Sequence, residues 1–226
     1  MLCFVSISIH FFSNISCFFY LLQYNIIKFE KQIFFGKNHK FYKKGNSSCI
    51  ISSSESLIAL GKTLSLVDYP FSDTDGIAVY AELTAEKHVI SVHYQEDGWH
   101  VSAPTVAAAA RGLGMVLAEQ EGDFSVQFQV MGILLDCSRG KVFHETFLKK
   151  FCAQSALLGY NLLSLYTEDT FKMEDEPFFG YCRGGYDIPT LQRLDDFTAA
   201  LGMELTGAIQ TLGHMASMLH WGAAYA

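Results

Sequence analysis

Between residues 129 and 169, apolar and polar positions separate into a strand, a helix and a second strand. Residues 129–136 (QVMGILLD) stay largely apolar until Asp136, and Ser138 and Arg139 follow at once. Residues 142–158 place Phe143, Phe147, Phe151 and Leu158 at helical spacing, with Lys149 and Lys150 between them. That predicts an amphipathic helix, ended by Gly159 where a left-handed residue is favoured. Residues 161–166 (NLLSLY) predict the second buried strand, and Glu168 and Asp169 come just after it. Apolar strands that release charged groups only at their C-terminal ends are the pattern of a parallel barrel, whose chemistry sits where the strands end.

The same pattern continues downstream. A loop over 170–187 carries PFFGYCRGGYD, and Asp187 and Pro189 open a helix running to about residue 201. Residues 203–209 (MELTGAI) predict a third strand, followed by Gln210, Thr211, Gly213 and His214. Upstream, residues 47–56 read as a polar, Ser-rich joint, and residues 57–66 alternate loosely enough for a strand. Residues 76–83 and 87–94 carry β-branched and aromatic side chains at period two. Gln95-Glu96-Asp97-Gly98 has hairpin chemistry, 99–103 is the return strand, and Pro104 falls in the first turn of a helix to about residue 118.

These elements predict an α/β chain: a small α+β sheet domain over 55–122, then an incomplete TIM (β/α)8 barrel over 124–226. Three strands with two crossover helices cannot close a barrel of eight. The chain is therefore expected to be a fragment of a longer protein.

Residues 1–48 differ from the rest, being rich in Phe, Ile, Asn, Tyr and Lys. The first 27 contain no Lys, Arg, Asp or Glu, enough to cross a bilayer, and a basic run follows over 28–44. One reading is a membrane anchor with its basic flank inside. The other is a non-native extension, since no basic segment precedes the apolar run and no small-residue cleavage site follows it.

Composition narrows the partners. A net charge of −7 argues against nucleic acid, which needs clustered Lys and Arg. The six cysteines, Cys3, Cys17, Cys49, Cys137, Cys152 and Cys182, contain no C-x-x-C pair. Buried thiols are thus favoured over disulfides or zinc, in a reducing, cytoplasmic setting; a membrane location enters only through residues 1–27. No cofactor or metal is expected.

The candidate chemistry lies at the strand ends. Arg139 offers a planar fork to hydroxyls or a carboxylate, or it pairs with Asp136 or Glu168 to hold the strand ends together. Glu168 and Asp169, read as adjacent strand residues, point to opposite faces; one can face the barrel mouth while the other caps a loop or helix. His214 can sit against a carboxylate and orient a general acid, or serve as a hydrogen-bonded structural residue. His220 and Trp221 can line a site or pack against it. The loop bearing Phe178, Phe179, Tyr181, Arg183 and Tyr186 can stack on a sugar ring or close over the rim.

Taken in order, GILLDCSRG, YNLLSLYTEDTF, EPFFGYCRGGY and LGMELTGAIQTLGH resemble glycoside hydrolase family 20, the β-N-acetylhexosaminidases. The resemblance extends over about residues 55–226, with its specific motifs within 132–214. It implies removal of terminal β-linked N-acetylglucosamine or N-acetylgalactosamine with retention, the substrate's own acetamido carbonyl acting as nucleophile. It implies that Arg139 holds sugar hydroxyls and that Glu168 and His214 form a relay supporting the general acid; Asp169, at the strand end, and Tyr181 and Arg183, on the loop, are further candidate substrate-binding residues. The family's general acid belongs to an adjacent Asp-Glu pair after a fourth strand, so no catalytic residue is assigned and the chain by itself is expected to be inactive. A non-catalytic carbohydrate-binding or interaction module derived from that family is the alternative.

Overall fold

The computed structural model describes residues 3–6, 48–72, 75–211, 213 and 214. Within the first part, Ser48–Ile51 (β2) occupies the interior of a six-stranded sheet, between Phe71–Ser72 (β3) and Ile77–Leu83 (β4). The Ser-rich joint expected at 47–56 is thus a strand followed by a helix cap. Residues 57–66, expected as a strand, fall in helix Glu55–Ser65 (α1), which follows Ser54. Its buried face is Leu57, Leu60, Gly61 and Leu64, a helical spacing that the looser strand alternation obscured.

The hairpin forms as the turn chemistry indicates. Val89–Gln95 (β5) pairs antiparallel with Gly98–Ala103 (β6), and β6 pairs in parallel with β4. Gly122–Ser125 (β7) adds to β5, so Phe124, the expected first residue of the barrel unit, belongs to this sheet. Helix Val106–Leu117 (α2) packs on β5 and β6. Its cap is Thr105, whose hydroxyl accepts from the Ala108 amide, which leaves Pro104 outside the first turn where it was expected. The other side of α2 meets the next unit: a side chain on Gly114 would collide with the Leu157 carbonyl, and Arg111 donates to that same carbonyl over 3.3 Å.

The strand–helix repeat follows: Met131–Asp136 (β8), Glu145–Leu157 (α3), Leu162–Tyr166 (β9), Ile188–Ala200 (α4) and Glu204–Ala208 (β10). The three strands are parallel neighbours, and Cys3–Ser6 (β1) pairs in parallel with the outer edge of β8. Those four residues are therefore a strand. The rest of the anchor reading, most of residues 1–27, and the basic run lie outside the described residues, as do His220 and Trp221. Among the described residues, no helix is long and apolar enough to cross a membrane.

Asp187 caps α4 as expected, accepting from the Thr190 amide over 2.9 Å, and Gly159 adopts a φ of 94° after α3. The buried face of α3 differs from the expected phenylalanine stripe. Leu148, Cys152, Ala153 and Ala156 are buried, whereas Phe143, Phe147 and Phe151 stack on one another along the flank and Phe147 is exposed. Small residues let α3 approach α2 and α4 closely; the rings are too large for that seam. Cys137 and Cys152 are free and buried, and burial pushes their thiols up to about 11 and about 12.

Candidate functional site

The register of the parallel sheet decides which side chains share a face. Gly132, Leu134 and Asp136 of β8 stand beside Leu162, Ser164 and Tyr166 of β9. On the next strand, Glu204, Thr206 and Ala208 continue those rows. Ile133, Leu163 and Leu165 point the other way, into the core. The last row on the open face is therefore Asp136, Tyr166 and Ala208, at the C-terminal edge.

Asp136 builds the turn that carries Arg139. Its Oδ1 accepts from the Ser138 amide at 2.9 Å, the Ser138 hydroxyl at 2.8 Å and the Arg139 amide at 3.1 Å. Its Oδ2 lies 3.7 Å from Arg139 Nη1. Arg139 extends over the Tyr166 ring, 5.4 Å from its centre, and donates to the Tyr166 hydroxyl over 3.4 Å. Glu168 sits behind this pair. Its Oε1 accepts from Tyr166 at 3.2 Å and lies 3.8 Å from both Arg139 Nη2 and His214 Nδ1. Burial, and then the Glu168 charge, hold the Tyr166 phenol above its usual range, so it remains a donor.

The structure thus brings Arg139, Glu168 and His214 into one cluster, with Arg139 and His214 the more open to solvent. Glu168 and Asp169 do separate, although the strand alternation expected to part them is absent. Strand β9 ends at Tyr166, and Glu168 adopts a φ of 49° in the turn beyond it. His214 (φ 58°) and Cys182 (φ 60°) are also left-handed, so three such non-glycine residues follow β9 or β10. Backbone strain of this kind collects at functional sites.

Asp169 turns inward and is buried. It pairs with Arg183 Nη1, while Arg183 Nη2 donates to the Ser138 carbonyl. The loop closes on itself at its base: Tyr186 pairs with Phe171, its amide donates to Thr170 O over 3.0 Å, and its carbonyl accepts from Lys172 over 2.8 Å. Gly180 fits under the loop because a side chain there would strike the Asp169 carbonyl. Tyr181 and Phe178 stay exposed at the tip, and Tyr181 lines a hollow of about 300 Å³ with Asp169 and Arg183. Tyr186 is buried, bonding Phe143 through its hydroxyl at 3.1 Å; burial raises its phenol strongly.

Tyr166 and Ser138 are site residues that the sequence reading passed over. Tyr166 was legible in principle, since it lies two residues before Glu168 on an alternating strand. Ser138 acts through its backbone, for which the sequence carries no mark. The single Asp-Glu dipeptide of the sequence, Asp175–Glu176, lies in the loop after β9 and away from any strand end.

A parallel strand–helix repeat with charged groups gathered at its C-terminal edge, joined to a mixed sheet, is an arrangement that solved glycoside hydrolase structures share. More narrowly, the fold is that of the family 20 β-N-acetylhexosaminidases. The Streptomyces coelicolor A3(2) GH20 β-N-acetylhexosaminidase superposes with a TM-score of 0.59 at 17% identity, over 79% of this chain and 44% of that one. The Bacteroides fragilis NCTC 9343 β-N-acetylhexosaminidase gives 0.58 at 16%, over 82% and 44%. The Vibrio harveyi GH20 exo-β-N-acetylglucosaminidase, solved in complex with N-acetylglucosamine, gives 0.58 at 14%, over 81% and 36%. The chain spans less than half the length of these structures. No family model and no curated protein matches the sequence.

Proposed function

We propose that residues 131–214 form the sugar-holding half of a β-N-acetylhexosaminidase-type site. In this reading Arg139 forks onto hydroxyls of a terminal N-acetylglucosamine or N-acetylgalactosamine, and Glu168 and His214 are the relay behind a general acid. The observation that supports it is the meeting of Arg139, Tyr166, Glu168 and His214 at one edge, in a fold shared with enzymes of that type.

The described carboxylates at this edge are already engaged. Asp136 takes three hydrogen bonds, Glu168 faces Tyr166, Arg139 and His214, and Asp169 is tied to Arg183. None is poised to protonate a glycosidic oxygen. In the full reaction the acetamido carbonyl of the substrate would act as nucleophile and a separate acid would protonate the leaving oxygen. The role of these residues is to hold and orient. Tyr181 at the loop tip would add a stacking face for the sugar or its neighbour.

A carbohydrate-binding module is the second reading, favoured by that same engagement of the carboxylates. Two measurements on the full chain test the sugar-holding role that both readings share. A chromogenic N-acetylglucosaminide should show no turnover above background, and calorimetry with N-acetylglucosamine should show binding. Turnover that survives repurification would overturn the division of roles, and absence of binding would overturn both readings.

A further inference from the structure

Arg139 is the residue that reaches outward, and its backbone is pinned from two sides by charge. The peptide unit joining Ser138 to Arg139 has one carbonyl and one amide. The amide, on Arg139, donates to Asp136 Oδ1 over 3.1 Å. The carbonyl, on Ser138, accepts from Arg183 Nη2. The other arm of Arg183 goes to Asp169, whose side chain is only 4% exposed. A continuous chain therefore runs from Asp169 through Arg183 and the 138–139 peptide plane to Asp136. It connects the loop after β9 to the turn after β8.

This arrangement restricts rotation of the peptide plane, because turning it would break a charge-assisted bond at each end. The direction in which Arg139 leaves the backbone depends on that plane. Arg183 is suited to the task as no lysine would be: its planar fork reaches a carboxylate and a carbonyl at once, whereas an ammonium is a point charge on a flexible stem. With one arm on Asp169 and the other on Ser138, Arg183 is turned toward the protein.

We propose that Arg183 is a positioning residue for Arg139, acting through the Ser138–Arg139 peptide and without touching the sugar. The proposal rests on the reading of Arg139 as the residue that holds the sugar. It assigns to Arg183 and Asp169 a role different from the direct binding for which the sequence alone makes them candidates.

The test uses the full chain with Arg183→Lys and Arg183→Gln. Three quantities are measured: melting temperature, hydrogen exchange of the Arg139 amide by NMR, and N-acetylglucosamine affinity by calorimetry. Arg183→Lys keeps a charge for Asp169 and loses the second arm. It should melt close to wild type, yet exchange the Arg139 amide at least tenfold faster and bind sugar about tenfold more weakly. Arg183→Gln should lose on all three measures. If both variants keep wild-type exchange at Arg139, the proposal is overturned, whatever their melting temperatures, and Arg183 only ties down the loop. Should Arg183→Gln fail to fold, Arg183→Lys still decides through the same exchange rate. A wild-type chain that binds no sugar would count against the functional reading, while the exchange rates would still decide whether Arg183 holds the peptide.

Discussion

Tyr166 donates its hydroxyl to Glu168, two residues further along the chain, over 3.2 Å. The bond brings a carboxylate from the turn back over the final row of β9. Replacing Tyr166 with Phe removes both this donor and the oxygen that accepts from Arg139 at 3.4 Å. A lost hydrogen bond to a charged group is worth about 1.5–3 kcal/mol. We expect Tyr166→Phe to weaken N-acetylglucosamine binding about tenfold or more with the far-ultraviolet circular dichroism unchanged. Wild-type affinity would remove Tyr166 from the site.

Arg139→Lys tests the fork itself. Arg139 faces Asp136 with one terminal nitrogen and Tyr166 and Glu168 with the other, at distances of 3.4 to 3.8 Å, a division between two nitrogens that a single ammonium does not have. Sugar binding should fall at least tenfold, as for a site that needs planar, bidentate donation. The change should leave stability within about 1 kcal/mol, because Arg139 is exposed enough for its ion pairs to count for little. Urea denaturation and calorimetry on one preparation would show both.

Glu145 predicts an acid-sensitive joint between two helices. Arg193 of α4 binds it through two nitrogens, at 2.8 and 3.2 Å, and Lys149 lies 2.7 Å away. The Arg193 bonds, then Lys149, lower its carboxyl from 4.5 to about 2. A carboxyl whose folded value is depressed stabilises above its unfolded value and loses that contribution as pH falls toward the folded one. The pair's contribution should therefore vanish between about pH 4.5 and 2. Because Arg193 is half exposed, the effect at neutral pH is about 1 kcal/mol or less. Glu145→Gln should flatten the stability profile in that window and lower the melting temperature slightly at pH 7.

Gly114 predicts a packing defect. A methyl there would strike the Leu157 carbonyl, which is fixed at the end of α3 and also accepts from Arg111. Backbone cannot step aside as a flexible side chain would, so the seam between α2 and α3 must open. Gly114→Ala should cost about 1–3 kcal/mol, the usual range for overpacking, despite alanine's better helix propensity. Denaturant titration would show the loss; a gain in stability would mean that the helices slide freely.

Period-two alternation located β4 and β5, hairpin chemistry located β6, and short, largely apolar runs located β8, β9 and β10, each within a residue or two. Alternation failed at residues 57–66, where Ile58, Leu60, Leu64 and Leu66 alternate loosely as in a strand, while the face that is buried follows the helical spacing of Leu57, Leu60, Gly61 and Leu64. The stripe on α3 was misplaced for a related reason: hydrophobicity ranks phenylalanine above alanine, while a close helix seam selects Ala153 and Ala156. At the site, Arg139, Glu168 and His214 were legible as polar side chains after apolar strands. Ser138 was not, since its part is played by a carbonyl that every residue possesses.

The loop between Thr170 and Tyr186 is clamped at its base by main-chain bonds and by a buried phenol, so its two ends are held by the scaffold and not by its tip. It behaves as a cartridge seated in a fixed socket. Residues around 173–178 can be lengthened at a small entropic cost, because loop-closure entropy grows only slowly with length. Under the proposed sugar-holding role, replacement of the tip would change what the site prefers while leaving Arg139, Tyr166 and Glu168 where they are.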